Sequence, residues 1–106
     1  MFTDDFSGDY RAAGGEAFDN PAAVVAMLEA ALGEAVTAHM GGPPEIELES
    51  STEASAIWPF NDRLEYRSGV LTGFGHYHET YRRTASGWRI ASSVITRQYQ
   101  HWTESV

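Results

Sequence analysis

The stretch GFGHYHETYRRTASGWRIASS, residues 73–93, decides the fold. Rings alternate with charged and polar residues up to Arg83, the pattern breaks at Ala85-Ser86-Gly87, and it resumes at Trp88. A period of two places successive side chains on opposite faces of a strand, and a short break containing glycine joins antiparallel neighbours. The stretch is therefore a hairpin. By parity Tyr77, Glu79 and Tyr81 share one face, and His76 and His78 the other. Gly73 and Gly75, on the Tyr77 side, mark a bend or the close approach of another group.

Working outward, the same period recurs in Ile46 and Leu48, in Ala54-Ser55-Ala56-Ile57-Trp58, and from Trp88 to Trp102. Turn-rich breaks fall at Gly41-Gly42-Pro43-Pro44, Ser50-Ser51-Thr52 and Arg67-Ser68-Gly69. Upstream the period changes. Asn20-Pro21 is a helix start, since Asn caps free N–H groups and Pro lacks the one that would be orphaned. Val25, Leu28 and Leu32 form an apolar stripe, and Gly33 is a natural stop. The expected fold class is α+β: a helix over about residues 21–32, followed by a curved antiparallel sheet of about four or five strands, in one domain covering residues 1–106.

A helix of about twelve residues spans about 18 Å, whereas a strand of fourteen runs to about 46 Å, so one helix cannot cover this sheet. The uncovered face carries Trp, Tyr and Phe, and large apolar patches seldom stay in water. A homodimer through the sheet is the expected cover.

Composition removes several functions. Fifteen acidic residues against seven arginines give a net charge of -8, which repels a nucleic-acid backbone or an anionic membrane. No apolar run approaches the roughly 20 residues that cross a bilayer, and MFTDDFSGDY has no secretory character, so the expected place is the cytoplasm. Cysteine is absent, which excludes thiolate chemistry. No nucleophile elbow, P-loop or dinucleotide fingerprint occurs. His76 and His78 share a face as two metal ligands would, with His39 and Glu79 as conceivable additions. A metal strand of the cupin type then needs a carboxylate four or five residues on, where this chain has Arg82 and Arg83. No metal and no cofactor is expected.

The order His39-Met40, Pro44-Glu45-Ile46-Glu47-Leu48, Ala54-Ser55-Ala56-Ile57-Trp58, Gly75-His76-Tyr77-His78-Glu79-Thr80-Tyr81-Arg82-Arg83 and Gly87-Trp88-Arg89-Ile90-Ala91 resembles the SnoaL-like branch of the NTF2-like superfamily, which includes scytalone dehydratase-like and polyketide cyclase-like proteins. The resemblance covers nearly all of Phe2 to Trp102. It implies a cone in which a bent sheet wraps around helices, a pocket for a small, mostly apolar ligand, and dimers formed through the outer face of the sheet.

In the scytalone dehydratase-like members a His at the place of His39 is base or proton shuttle, and a Tyr at the place of Tyr10 polarises a substrate oxygen. The resemblance also turns Tyr77 and the face of Ala54, Ala56, Trp58, Phe60, Asp62 and Leu64 toward the pocket, with His76 and His78 outward. Two family features are missing. A strand His has Asp62 or Leu64 near its place, and the catalytic Asp belongs to a helix that would precede Met1, so the chain looks as if it starts after the helix that closes the cone.

From the residues alone, His39 reads equally as a hydrogen-bonded structural side chain and Tyr10 as an edge tyrosine. Asp4, Asp5, Asp9 and Asp62 are the candidates to fix the His39 tautomer. Asp62 reads either as a functional charge on an apolar wall or as part of a surface bulge or ion pair in Asn61-Asp62-Arg63. The expected catalytic set is His39, Tyr10 and Asp62, with Trp58, Phe60, Leu64 and Tyr77 lining the substrate. The expected chemistry is cofactor-independent dehydration, isomerisation or ring closure by proton abstraction on a small apolar or aromatic carbonyl metabolite. Its rival is a ligand-binding or dimerisation module without turnover.

Overall fold

The structure is a computed structural model that describes residues 1–105. In chain order it runs β1 (Phe2–Asp9), a single 3-10 turn (Arg11–Ala13), β2 (Ala17–Phe18), α1 (Pro21–Leu32), β3 (Val36–Gly41), β4 (Glu45–Leu48), β5 (Glu53–Tyr66), β6 (Gly69–Thr84) and β7 (Gly87–Glu104). One seven-stranded sheet results, in the order β2-β1-β7-β6-β5-β3, with β4 pairing the other half of β5's edge.

The period-two segments fold as expected into β4 to β7, and the sheet is larger than four or five strands because β1, β2 and β3 join it. It is also mixed, since β1 runs parallel to β7. β1 hides its period: the pairing slips between Phe2 and Ser7, so its buried residues are Thr3, Phe6 and Gly8 and do not alternate. β3 hides it differently, because all six of its residues are exposed and nothing in VTAHMG distinguishes two faces.

The hairpin of residues 73–93 closes as the sequence suggests. Gly87 turns it with φ 104°, a backbone region that disfavours side chains. The Thr84 hydroxyl spans the turn, donating to the Gly87 carbonyl at 2.8 Å. Two register shifts, at Phe74/Gly75 and Thr80/Tyr81, interrupt the β6–β7 ladder, and such bulges bend a strand and sharpen its twist.

The helix start is as the sequence indicates: the Asn20 side chain accepts from the Ala23 N–H at 2.8 Å, with Pro21 at the first helical position. The inward face differs from the Val25, Leu28, Leu32 stripe. Val24 is the buried residue, while Val25 is 46% and Leu28 40% exposed. The helix packs along β1 and β2, at one edge of the sheet, and that narrow seat takes a smaller face than a helix lying across the strands would bury. Gly33 ends the helix in right-handed geometry, so its conformational freedom is not used.

Two faces of the long strands follow from burial. Ala54, Ala56, Phe60, Asp62 and Leu64 of β5 and Ser93 and Ile95 of β7 are buried on an inner face. Ile57, Phe74, Val94 and Tyr99 are exposed on the outer one.

Candidate functional site

The inner face is organised by an arginine that crosses a strand. Arg97 on β7 lies opposite Gly75 of β6, and Asp62 on β5 lies opposite Gly73. To reach Asp62, the Arg97 side chain passes over β6, where a Cβ on Gly73 would stand 2.6 Å from Nη1. The glycine permits the crossing. The guanidinium donates to both carboxylate oxygens, Nη1 to Oδ1 at 3.1 Å and Nη2 to Oδ2 at 2.7 Å, and lies 5.4 Å from the centre of the Phe60 ring. The Asp62 side chain is 2% exposed and that of Arg97 11%, so this is a desolvated, bidentate, charge-assisted pair. Of the two readings of Asp62, the ion pair is the observed one, and its partner is Arg97 rather than the adjacent Arg63, which faces Glu65.

His39 stands directly across from Asp62 in the β3–β5 register, which selects Asp62 from the four candidate aspartates. Its Nε2 lies 3.8 Å from Asp62 Oδ2, and its side chain is 41% exposed. The spacing suits an electrostatic pair when the ring is protonated but exceeds a direct hydrogen bond. His39 is thus a strand residue at the rim of the inner face.

Further along the face, Tyr77 stacks on Phe60 with ring centres 4.6 Å apart. Burial, then the Asp62 charge, pushes its phenol up, with Arg97 opposing. Next come two side-chain hydrogen bonds in series: Trp58 Nε1 donates to the Tyr81 hydroxyl at 2.7 Å, and Tyr81 donates to Glu79 Oε1 at 2.8 Å. Burial first, and the bond to Glu79, push the Tyr81 phenol up to about 12 even though the Trp58 donor pulls the other way. Tyr81 therefore keeps its proton at neutral pH.

Tyr10 closes the far end. Its ring folds back over Gly8, where an added Cβ would meet the ring at 2.8 Å and the hydroxyl at 3.0 Å. Gly8 pairs with Ser93, Ser93 with Glu79, and Glu79 with Ala56, so the Tyr10 ring and Glu79 belong to one cross-strand row. Burial, then the Glu79 charge, raises the Tyr10 phenol. His39 marks the Asp62 row and Tyr10 the Ala56 row, six residues or about 20 Å of strand apart, with Tyr77 between them.

All seven expected site residues occupy this face or its rim. They do not converge on one point: His39 and Asp62 form one group, Tyr10 another, and Trp58 and Tyr77 bridge them. Phe60 and Leu64 are buried and form the floor. Arg97, Glu79 and Tyr81 complete the arrangement and were not singled out for it. Their signals were Gly73-Phe74-Gly75, which announced a close approach without naming the arm, and the parity that put Glu79 and Tyr81 with Tyr77. His76 and His78 face outward, bonded to Gln98 at 2.9 Å and to Thr96 at 3.2 Å.

The SnoaL-like domain family matches residues 1–94. The protein named Probable cyclase FGR4, from Gibberella zeae, is 34% identical over 79 residues, 71% of this chain and 53% of its own length, so the chain spans about half of that relative. Among solved structures, the Kfla4162 protein of Kribbella flavida superposes with a TM-score of 0.84 at 23% identity, covering 95% of this chain and 74% of the other. A presumptive scytalone dehydratase of Novosphingobium aromaticivorans also gives 0.84, at 18% identity, covering 100% and 72%. The α+β cone of the NTF2-like superfamily, with its bent sheet, is the shared architecture. Family match, sheet order and inner face agree: the chain belongs to the SnoaL-like domain family.

Proposed function

We propose that the inner face binds a small apolar or aromatic carbonyl compound and catalyses proton abstraction next to its carbonyl, the step shared by dehydration, isomerisation and ring closure. The observation that carries this reading is the Arg97–Asp62 pair with His39 beside it at the rim. Asp62 is locked by Arg97, so its charge is fixed in place, and it faces the His39 imidazole. In the reaction His39 Nε2 takes the proton from the carbon, and the electron pair moves into the carbonyl. The developing oxyanion receives a hydrogen bond from a tyrosine hydroxyl, Tyr10 as the family likeness implies, with Tyr77 the nearer donor. Asp62 favours the imidazolium as it forms. Trp58, Tyr77, Phe60 and Leu64 supply the apolar wall and floor. The step needs no cofactor.

The test is exchange of the α-hydrogens of an aromatic ketone for deuterium, followed by NMR. The wild type is expected to catalyse it, and His39→Gln to lower the rate by about a hundredfold or more, the usual share of a positioned base. An unchanged rate in His39→Gln removes the base assignment. A second reading, binding without turnover, is favoured by the exposure of the His39 ring, because a base works best where water is excluded. Recovery of every ligand unchanged and unlabelled would support it.

The partner we propose for the outer face is a second copy of the chain. Ile57, Phe74, Val94 and Tyr99 are exposed there, and Ile57, Val94 and His78 line a groove of about 540 Å³.

A further inference from the structure

Glu79 stands apart from the other charge of the inner face. Both oxygens of Asp62 are bonded by Arg97, which partly offsets its charge. Glu79 has no cation: Oε1 accepts from Tyr81, and no donor among the described residues meets Oε2. The Tyr81 bond, itself backed by Trp58, holds the carboxylate in one orientation.

Its surroundings leave room beside it. The nearest members of the Glu79 row, Ser93 and Ala56 on either side and Gly8 beyond Ser93, are small, and the row ends at Phe18 and Ile46. Larger side chains stand around that row: the Tyr10 ring over Gly8, Tyr81 two residues on, and Tyr77 and Trp58 in the next row. The Tyr10 and Tyr77 hydroxyls form no side-chain bond among the described residues, and the cross-strand register sets the Tyr10 ring in the row of Glu79 and Tyr77 in the next one. None of the three open oxygens is cut off from water, so a ligand group would take the place of water there. An anchored carboxylate with one open oxygen, between two open hydroxyls, lacks a hydrogen-bond donor and repels anions.

We propose that Glu79 determines ligand specificity on the inner face: its free oxygen accepts a hydrogen from an O–H or N–H group of a neutral ligand, and its charge turns away carboxylates. The ligand then lies along the face, with its carbonyl toward the tyrosine hydroxyls and its donor group at Glu79. This rests on reading the inner face as a ligand site, but it does not depend on turnover. Tyr81 and Trp58 are positioning residues that act through Glu79.

Three probes on one aryl ketone scaffold separate the terms: acetophenone, 4-hydroxyacetophenone and 4-acetylbenzoate, titrated into the full chain with amide NMR shifts as readout. For the wild type, 4-hydroxyacetophenone is expected to bind about tenfold to a hundredfold more tightly than acetophenone, the span of a hydrogen bond to a charged acceptor. 4-Acetylbenzoate is expected to be the weakest. Glu79→Gln keeps the shape and an acceptor for Tyr81, and it is expected to admit 4-acetylbenzoate to at least the level of acetophenone. Glu79→Leu is expected to erase the preference for the hydroxyl. Unfolding midpoints of both variants establish that they are folded. Equal binding of the three probes to the wild type, no binding of any, or an unchanged order in a folded Glu79→Gln protein overturns the proposal. If the expected order appears while the wild type never exchanges the ketones' α-hydrogens, the role of Glu79 stands and the enzyme reading falls. If exchange occurs and the order is insensitive to Glu79, the reverse holds.

Discussion

Asp62 shows what one residue does when its partner is fixed. Removing one member of a buried pair leaves the other charge uncompensated, so Arg97→Met is expected to cost about 3–5 kcal/mol. The double variant Asp62→Leu/Arg97→Met is expected to recover much of that, as urea midpoints of the two proteins would show. Tyr81 behaves differently, through its proton. Its folded value of about 12 lies above the ordinary 10.0, so the protonated form is favoured by folding. Its contribution is complete below pH 10 and is lost as pH rises toward 12. Wild-type stability is expected to fall through that window, and Tyr81→Phe to flatten the fall, in urea midpoints measured at several alkaline pH values. At this scale the sequence was partly legible. Parity grouped Asp62 with the even positions from Ala54 to Leu64 and Tyr77 with Glu79 and Tyr81, and the family resemblance turned both groups inward. Which cation reaches Asp62 was not legible, because Arg97 is a strand away and its path depends on the register of β6.

Among the elements, β6 shows how glycine in a strand becomes specific. Gly73 is not simply a bend. Gly73 clears the path of Arg97, and a Cβ there would also stand 2.6 Å from the Tyr99 carbonyl oxygen. Gly73→Ala is expected to destabilise by about 1–3 kcal/mol, the usual cost of overpacking, and to shift the Arg97 side-chain NMR signals. Unchanged Arg97 signals in the variant would show that the glycine does not serve the crossing. The long strands and the capped helix were legible because period and capping are local. β1 and β3 were not, the first because its register slips and the second because it buries no face. The helix face was missed for a related reason: which stripe goes inward depends on the edge it docks against, and β1 and β2 were not read as strands.

The whole molecule is long for its size. Its radius of gyration is 15.0 Å, against about 13 Å for a compact chain of ~100 residues, and its extents are 53 × 27 × 20 Å. Among the described residues only seven hydrophobic ones are buried, while Ile57, Phe74, Val94 and Tyr99 line one exposed face, so the chain by itself leaves its sheet half covered. A second copy on the outer face would complete it. The double variant Phe74→Glu/Val94→Glu is expected to be monomeric and less stable, with the wild type a dimer by light scattering. A monomeric wild type at micromolar concentration would remove that partner.

The parallel seam between β1 and β7 carries a consequence in time. Gly8 finds Ser93 only after nearly the whole chain between them is available, and pairings that distant in sequence are slow to close. During synthesis the hairpin of β5 and β6 can form early, whereas β1 must wait for β7. Tyr10 follows β1, so the tyrosine end of the inner face is assembled last. A chain released before β7 would hold the wall for a ligand and lack the group that closes over it.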